Sequence, residues 1–265
     1  MTRVLSGVVL LGVVGSLAWF APPQGLVALA VLVAVGAFIE LARLAEALGA
    51  HVPRLPGVII TAALTAAVAW PGVPLQPVLV ASVVAAAAMA IAGGRPDRSQ
   101  IAGAATLVAA PMYLALPLGG LAGLRWTDGR EVAVLLVLVV VASDTLQYYT
   151  GRALGRRKLA PVISPKKTVE GAVGGFVGAT LVMAFLGAAW LPGVPLHARV
   201  ALGLTIAGLG IVGDLVESAL KRAADVKDSS HLIPGHGGVL DRIDALLLAA
   251  PVYIAFLKFG PWQAI

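Results

Sequence analysis

The stretch Val200–Arg222, VALGLTIAGLGIVGDLVESALKR, decides how the chain is read. Up to Gly213 it carries no charge. At 1.5 Å per residue, a helix of this length crosses a hydrocarbon layer about 30 Å thick. Its second half then sets Asp214, Glu217, Ser218, Lys221 and Arg222 at i, i+3, i+4, i+7 and i+8, with Asp225 at i+11. That spacing is one face of a helix. A span otherwise built of Leu, Ile, Val, Ala and Gly thus holds a single polar stripe, which must look at water or at protein. Ionisable groups inside apolar spans are costly and point to function.

Composition shows that the surrounding chain is of the same kind. Of 265 residues, 59% are hydrophobic and 12% charged, against about 45–50% and 25% in soluble proteins. A soluble globule is excluded, and so is disorder, which needs too little apolar surface rather than an excess. The 31 glycines lack a three-residue period and there is no cysteine, which removes collagen, disulfide scaffolds, thiol chemistry and Cys-ligated metals. The fold class that remains is an all-α polytopic membrane protein. Nine apolar runs fall at 4–21, 24–44, 56–70, 75–94, 101–124, 131–153, 172–191, 200–222 and 243–260. The first is read as a span rather than a cleaved signal, because it is long for a signal core and another span follows at once. The third is short for a full crossing and is the candidate for a re-entrant segment. A barrel would need strands alternating apolar and polar, which these continuous runs are not.

Counting Lys and Arg orients the chain. With the N-terminus inside, 15 of the 19 fall in inside segments; only Arg125, Arg130, Arg199 and Lys258 fall outside. The positive-inside rule predicts N-in and C-out. Residues 1–130 read as a hydrophobic N-terminal transmembrane region. Residues 131–265 read as the catalytic transmembrane region of the same integrated domain, since nearly all the chemistry-bearing residues lie there. In the latter, Asp144, Gln147, Tyr148, Gly151 and Arg152 form a second polar stripe toward a cytosolic helix end, so two helices can wall a polar cavity open to the cytosol. Gly171/Gly175 and Gly174/Gly178 read as helix-packing spacings.

Two loops supply cations and flexible backbone. In Ser164-Pro165-Lys166-Lys167-Thr168, Ser-Pro reads as the N-cap and first residue of a helix. Lys166 and Lys167 would then sit in the first turn, where the dipole disfavours them unless an anion is held there. After the eighth run, Lys227, His236, Gly237, Gly238, Asp241, Arg242 and Asp244 lie in a glycine-rich loop and the start of the last helix. A short connection makes the flanking helices antiparallel neighbours, so Asp214 and Asp241 can converge. Hard carboxylate oxygens with water and phosphate completing the shell suit Mg2+. Carboxylates, cations and a glycine loop at the inner face describe phosphoryl or nucleotidyl transfer to a lipid. No Gly-x-Ser-x-Gly elbow and no Walker A motif is present.

From Ser218 through Lys221-Arg222, Lys227-Asp228, Pro234-Gly-His236-Gly237-Gly238 and Asp241-Arg242-Ile-Asp244, the chain resembles the signature of phosphatidate cytidylyltransferases, or CDP-diacylglycerol synthases. Ser143-Asp144-Thr145, Gly151-Arg152 and Ser164-Pro165-Lys166-Lys167-Thr168-x-Glu170-Gly171 also resemble that family. The resemblance covers roughly 144–244 and implies CTP plus phosphatidic acid giving CDP-diacylglycerol and pyrophosphate, with Mg2+ and a possible second cation. On that basis Asp214, Asp241, Lys221, Arg222 and Asp244 are expected to be catalytic, with Asp214 and Asp241 holding the metal. Lys166, Lys167, Ser218, Lys227, His236, Gly237, Gly238, Arg242 and Asp144 are expected to bind substrates. His236 needs no proton-transfer role, since a lipid phosphate is already ionised. The expected setting is a bacterial inner membrane with the site facing the cytoplasm, among membrane lipids, with homodimerisation possible. Nucleic acid is not an expected partner, because the basic residues track the inside loops. The alternatives are a CTP-dependent polyprenol or phytol kinase and, in another class, an ion-coupled transporter using Asp144 and Asp214. Transporters usually carry internal repeats, and none is visible.

Overall fold

A computed structural model describes residues 12, 15–92, 97–230 and 237–261. Eight helices and one hairpin fill them: α1 Pro23–Ala47, α2 Arg54–Ala69, α3 Leu75–Ile91, α4 Arg98–Thr127, α5 Arg130–Leu154, β1 Lys158–Ala160, β2 Ser164–Thr168, α6 Val169–Trp190, α7 Leu196–Ala223 and α8 Leu240–Phe259. These helices match the second to ninth apolar runs. Most of the first run lies outside the described residues, although 15–20 are helical. Five helices, α1, α4, α5, α6 and α7, are long and apolar enough to cross a membrane. The chain is therefore an all-α membrane protein. At 16 and 17 residues, α2 and α3 reach only about 24–26 Å. In α8 the charges at Asp241, Arg242, Asp244 and Lys258 leave an uncharged stretch of only 245–257.

The chain divides into two compact units, residues 1–127 with 220–243, and residues 128–219 with 244–265. In the first, α1, α2 and α3 pack around α4. Helices α1 to α3 each start directly after a proline, Pro22, Pro53 and Pro74, whose extended backbone ends the preceding loop. Asp97 opens α4 by accepting from the Ser99 amide and hydroxyl at 3.2 and 2.7 Å, which holds its carboxyl below the usual range. Close packing depends on small residues, as it does between helices in lipid. A Cβ on Gly119 would come within 2.7 Å of the Thr65 carbonyl, and one on Gly57 would overlap the Phe38 ring. Phe38, Leu64, Leu107, Leu114 and Leu124 are fully buried. Thr61 and Thr65 spend their hydroxyls on carbonyls one turn back, at 2.7 Å, so neither leaves a donor bare in an apolar layer.

In the second unit α5 and α6 form the most extensive helix pair. Cβ atoms on Gly171, Gly174 and Gly178 would press to 2.7–2.9 Å on the carbonyls of Gln147, Leu146 and Ala142, and one on Gly175 would approach Ser143 Oγ at 3.1 Å. The glycine spacings are thus a packing face, as expected. Tyr253, fully buried on α8, donates to the Val132 carbonyl at 2.9 Å.

The structure corrects one local expectation. Ser164-Pro165-Lys166-Lys167 is a strand, paired antiparallel with β1 through Lys158↔Thr168 and Ala160↔Ser164, and α6 starts four residues later. Thr168 is its N-cap, accepting from the Gly171 amide at 3.1 Å. The later start keeps two ammonium groups out of a first turn that the dipole makes unfavourable for cations. Proline costs a strand little when no partner needs its N–H. Glu170 locks the hairpin base by accepting from the Arg156 and Arg157 amides at 3.0 and 3.2 Å.

Candidate active site

In the first unit the signature segment folds around Asp241. One carboxylate oxygen accepts from Lys221 Nζ at 2.5 Å. The other accepts from the Gly238 amide at 2.8 Å, the Ser229 amide at 3.1 Å and Ser229 Oγ at 2.8 Å. The Lys221 and Asp241 side chains are only 10% and 7% exposed. Two glycines make this turn possible. Gly237 sits at φ 78°, where an L side chain is disfavoured. A Cβ on Gly238 would overlap Ser229 Oγ and the carboxylate of Glu40.

Glu40 is a site residue that sequence reasoning missed. It lies on α1, 2% exposed, and accepts from Ser229 Oγ at 2.8 Å, Ser230 Oγ at 2.6 Å, and the amides of Val239 and Leu240 at 2.9 and 2.8 Å. The signal was present, since a carboxylate stands in the apolar run 24–44. It was passed over because residues 1–130 read as scaffold.

The C-terminal end of α7 terminates in a Schellman arrangement. The Val226 amide donates to the Lys221 carbonyl at 2.9 Å and the Asp225 amide to the Arg222 carbonyl at 3.1 Å, with Asp225 left-handed at φ 55°. Arg222, expected to be catalytic, is exposed and donates to the Val226 carbonyl at 2.9 Å. Lys227 and Arg242 are exposed. His236 lies outside the described residues.

In the second unit a group of acids gathers. Asp144, Asp214 and Lys167 all lie near enough to Asp244 to act on its charge. Gly213 explains the proximity, since a Cβ there would overlap the Asp244 carbonyl; the bare glycine lets the α7 and α8 backbones meet beside the two carboxylates. Lys167 Nζ lies 2.6 Å from Asp214 Oδ2, and Ser218 donates to Asp214 Oδ1 at 3.2 Å. Alternation along β2 separates its two lysines: Lys167 is inward and 12% exposed, Lys166 outward in solvent. Among the described residues no three acidic or histidine side chains are spaced to hold a metal by themselves.

The fold and its polar groups define a helical membrane protein with carboxylate and ammonium clusters buried at helix ends. A sequence model described as the Cytidylyltransferase family matches residues 1–260, and the chain belongs to that family. Residues of this chain are 44% identical to uncharacterized protein YnbB of Escherichia coli over 133 residues, 50% of this chain and 44% of that protein. They are 43% identical to phosphatidate cytidylyltransferase of Haemophilus influenzae over 136 residues, 49% of this chain and 47% of that protein. They are 48% identical to phosphatidate cytidylyltransferase of Bacillus subtilis over 121 residues, 45% of this chain and 44% of that protein. The chain thus spans about half the length of the curated relatives it matches.

Proposed function

We propose that the protein is a phosphatidate cytidylyltransferase, joining CTP and phosphatidic acid into CDP-diacylglycerol and pyrophosphate. The observation that carries this reading is the close approach of α7 and α8 at Gly213, which brings Asp214 beside Asp244, with Lys167 Nζ 2.6 Å from Asp214 Oδ2. Carboxylate oxygens of this kind are the ligands a hard divalent cation takes, with water and phosphate filling the rest of its shell. Asp214, one-third exposed, and Asp244 are the residues that would hold Mg2+. Asp241, first expected in that role, already accepts from four donors. Bound there, the metal would neutralise charge on the nucleotide phosphates and the departing pyrophosphate.

The chain's own groups would do the rest. A lipid phosphate oxygen forms a bond to the α-phosphorus of CTP while the bond from that phosphorus to the bridging oxygen breaks in line, and pyrophosphate carries the electron pair away. Lys166, exposed on β2, is a charge-assisted donor of the kind phosphates take, and so, in the first unit, are Lys227 and Arg242, also exposed. The tight Gly237-Gly238 backbone can approach the nucleotide closely, and His236 would line its pocket. Ser218 and Lys167 hold the Asp214 carboxylate in place. No side chain needs to remove a proton.

The proposed topology has nine spans, N-in and C-out, with the cavity open to the cytosol of a bacterial inner membrane. Tryptophan placement supports it. Trp19, Trp70, Trp126, Trp190 and Trp262 all fall at run ends assigned outside, at the interfacial depth that tryptophan favours.

The test separates this activity from a CTP-dependent lipid kinase. Purified protein in detergent receives Mg2+, phosphatidic acid or a polyprenol, and CTP labelled at either the α- or the γ-phosphorus. Transfer of α-label to phosphatidic acid with release of pyrophosphate is expected; γ-label in a polyprenol, or no lipid product, overturns the reading.

A further inference from the structure

We infer that Glu40 is a positioning residue for the proposed cytidylyl transfer, acting from the N-terminal half of the chain on both flanks of the signature loop. The inference rests on the proposed reaction for its kinetic part and on geometry alone for the rest. Glu40 is buried among Ala37, Phe38 and Ala42 on α1, where an unsatisfied carboxylate would be costly. Each of its two oxygens accepts two donors. Oε1 takes the Ser230 hydroxyl and the Val239 amide; Oε2 takes the Ser229 hydroxyl and the Leu240 amide. One carboxylate therefore ties residues 229–230 to residues 239–240, which follow Gly237 and Gly238 directly.

The geometry shows why a carboxylate, rather than an apolar side chain, occupies this position. Val239 and Leu240 open α8, and a helix start leaves amides without intrahelical partners. Glu40 supplies from another helix the acceptor that an N-cap side chain normally provides. Gly36, one turn earlier on α1, has Val239 against it, and a Cβ there would touch that side chain at 3.4 Å. The chain of contacts then continues to the lysine of the signature. Ser229 Oγ lies 2.8 Å from both Glu40 Oε2 and Asp241 Oδ2, so its single proton serves one carboxylate at a time and its position is set by both. Asp241 in turn fixes Lys221 at 2.5 Å. Moving Glu40 moves the hydroxyl, the Asp241 carboxylate and the Lys221 ammonium in sequence.

The experiment compares the full-length protein with Glu40→Gln, Glu40→Asp and Ser230→Ala in detergent. Glu40→Gln keeps size but turns one acceptor into an NH2 donor facing two donors. Expected are a fall in kcat of about 100-fold at saturating CTP and phosphatidic acid, an unchanged KM for phosphatidic acid, and an unchanged far-UV spectrum. Amide hydrogen exchange should rise at least tenfold in peptides spanning 237–242 and stay the same in α2 and α4. Ser230→Ala, which removes one of four donors, should shift the same readouts in the same direction by less, and Glu40→Asp should recover part of kcat. Unchanged kcat with an active wild type would overturn the inference and leave the reaction standing. Exchange that rises evenly over the whole protein would reduce Glu40 to general stability and also overturn it. A wild type that makes no nucleotide-linked lipid would overturn the reaction instead, while the local exchange change would still report whether Glu40 organises the loop.

Discussion

Replacing the partners of the Lys221–Asp241 pair one at a time and together tests whether the signature is held by charge. Both side chains are nearly enclosed, at 10% and 7% exposure. Removing one member of such a buried pair costs about 3–5 kcal/mol, because the other charge is left without its partner. The two single changes are not equivalent. In Lys221→Met, Asp241 keeps the Gly238 amide and both Ser229 donors, so the loss should fall near the bottom of that range, about 3 kcal/mol. In Asp241→Asn, the carboxamide oxygen must stay with the three donors on one side. Its NH2 then faces the Lys221 ammonium in place of a carboxylate oxygen, and the loss should fall within the same range of about 3–5 kcal/mol. The double variant Lys221→Met/Asp241→Asn removes the opposed donors, so its loss should fall short of the sum of the singles by about 1–3 kcal/mol. Unfolding in mixed micelles of mild detergent and increasing SDS, followed by far-UV circular dichroism, measures all four proteins on one scale. Additive losses would refute the reasoning.

Three further outcomes follow from particular contacts. Gly213→Val should force α7 from the Asp244 carbonyl; it should destabilise the fold by about 1–3 kcal/mol and abolish lipid labelling, whereas Gly208→Ala, where the nearest atoms would be 3.7 Å away on the Phe176 ring, should preserve most of it. Asp225→Gly relieves a left-handed non-glycine residue and should raise stability by up to about 1 kcal/mol, read as a higher SDS midpoint. Asp244→Asn should cut lipid labelling and raise the Mg2+ concentration needed for half-maximal activity; an unchanged Mg2+ requirement would show that this carboxylate does not hold the ion.

Much of the fold is legible in the sequence because a lipid environment leaves helices few alternatives. The continuous apolar runs from 24 to 260 each became a helix, and prolines 22, 53 and 74 mark three of the starts. The hairpin was hidden because Ser164-Pro165 is a sound local helix signal. Its rival, the pairing of Lys158 with Thr168, depends on residues ten positions away and on Glu170 closing the base. In the site, spacing placed acids on the last two helices and led to the expectation that Asp214 and Asp241 converge, but it could not tell which did what. Asp241 and Asp244 are one turn apart with similar neighbours in sequence, and only the folded backbone shows that the first is taken by Lys221 and three other donors while the second meets Asp214. Glu40 stood out as a carboxylate in an apolar run, but its role did not, because its donors among the described residues lie at least 189 residues further along the chain.

That separation has a consequence for how the protein is made. Leu240 follows Glu40 by 200 residues, and at a synthesis rate of about 5–20 residues per second the carboxylate exists for roughly 10–40 s before its last donors are translated. During that interval α1 must enter the bilayer carrying an acid with none of its four donors yet translated. Glu40 lies seven residues from the end of α1 at Ala47, about 10 Å along the axis, close enough to the interface for water to reach it if the helix sits shallow. Final seating of α1 would then wait for α8 to be threaded, so the depth of α1 is fixed only once residues 229–240 have been made.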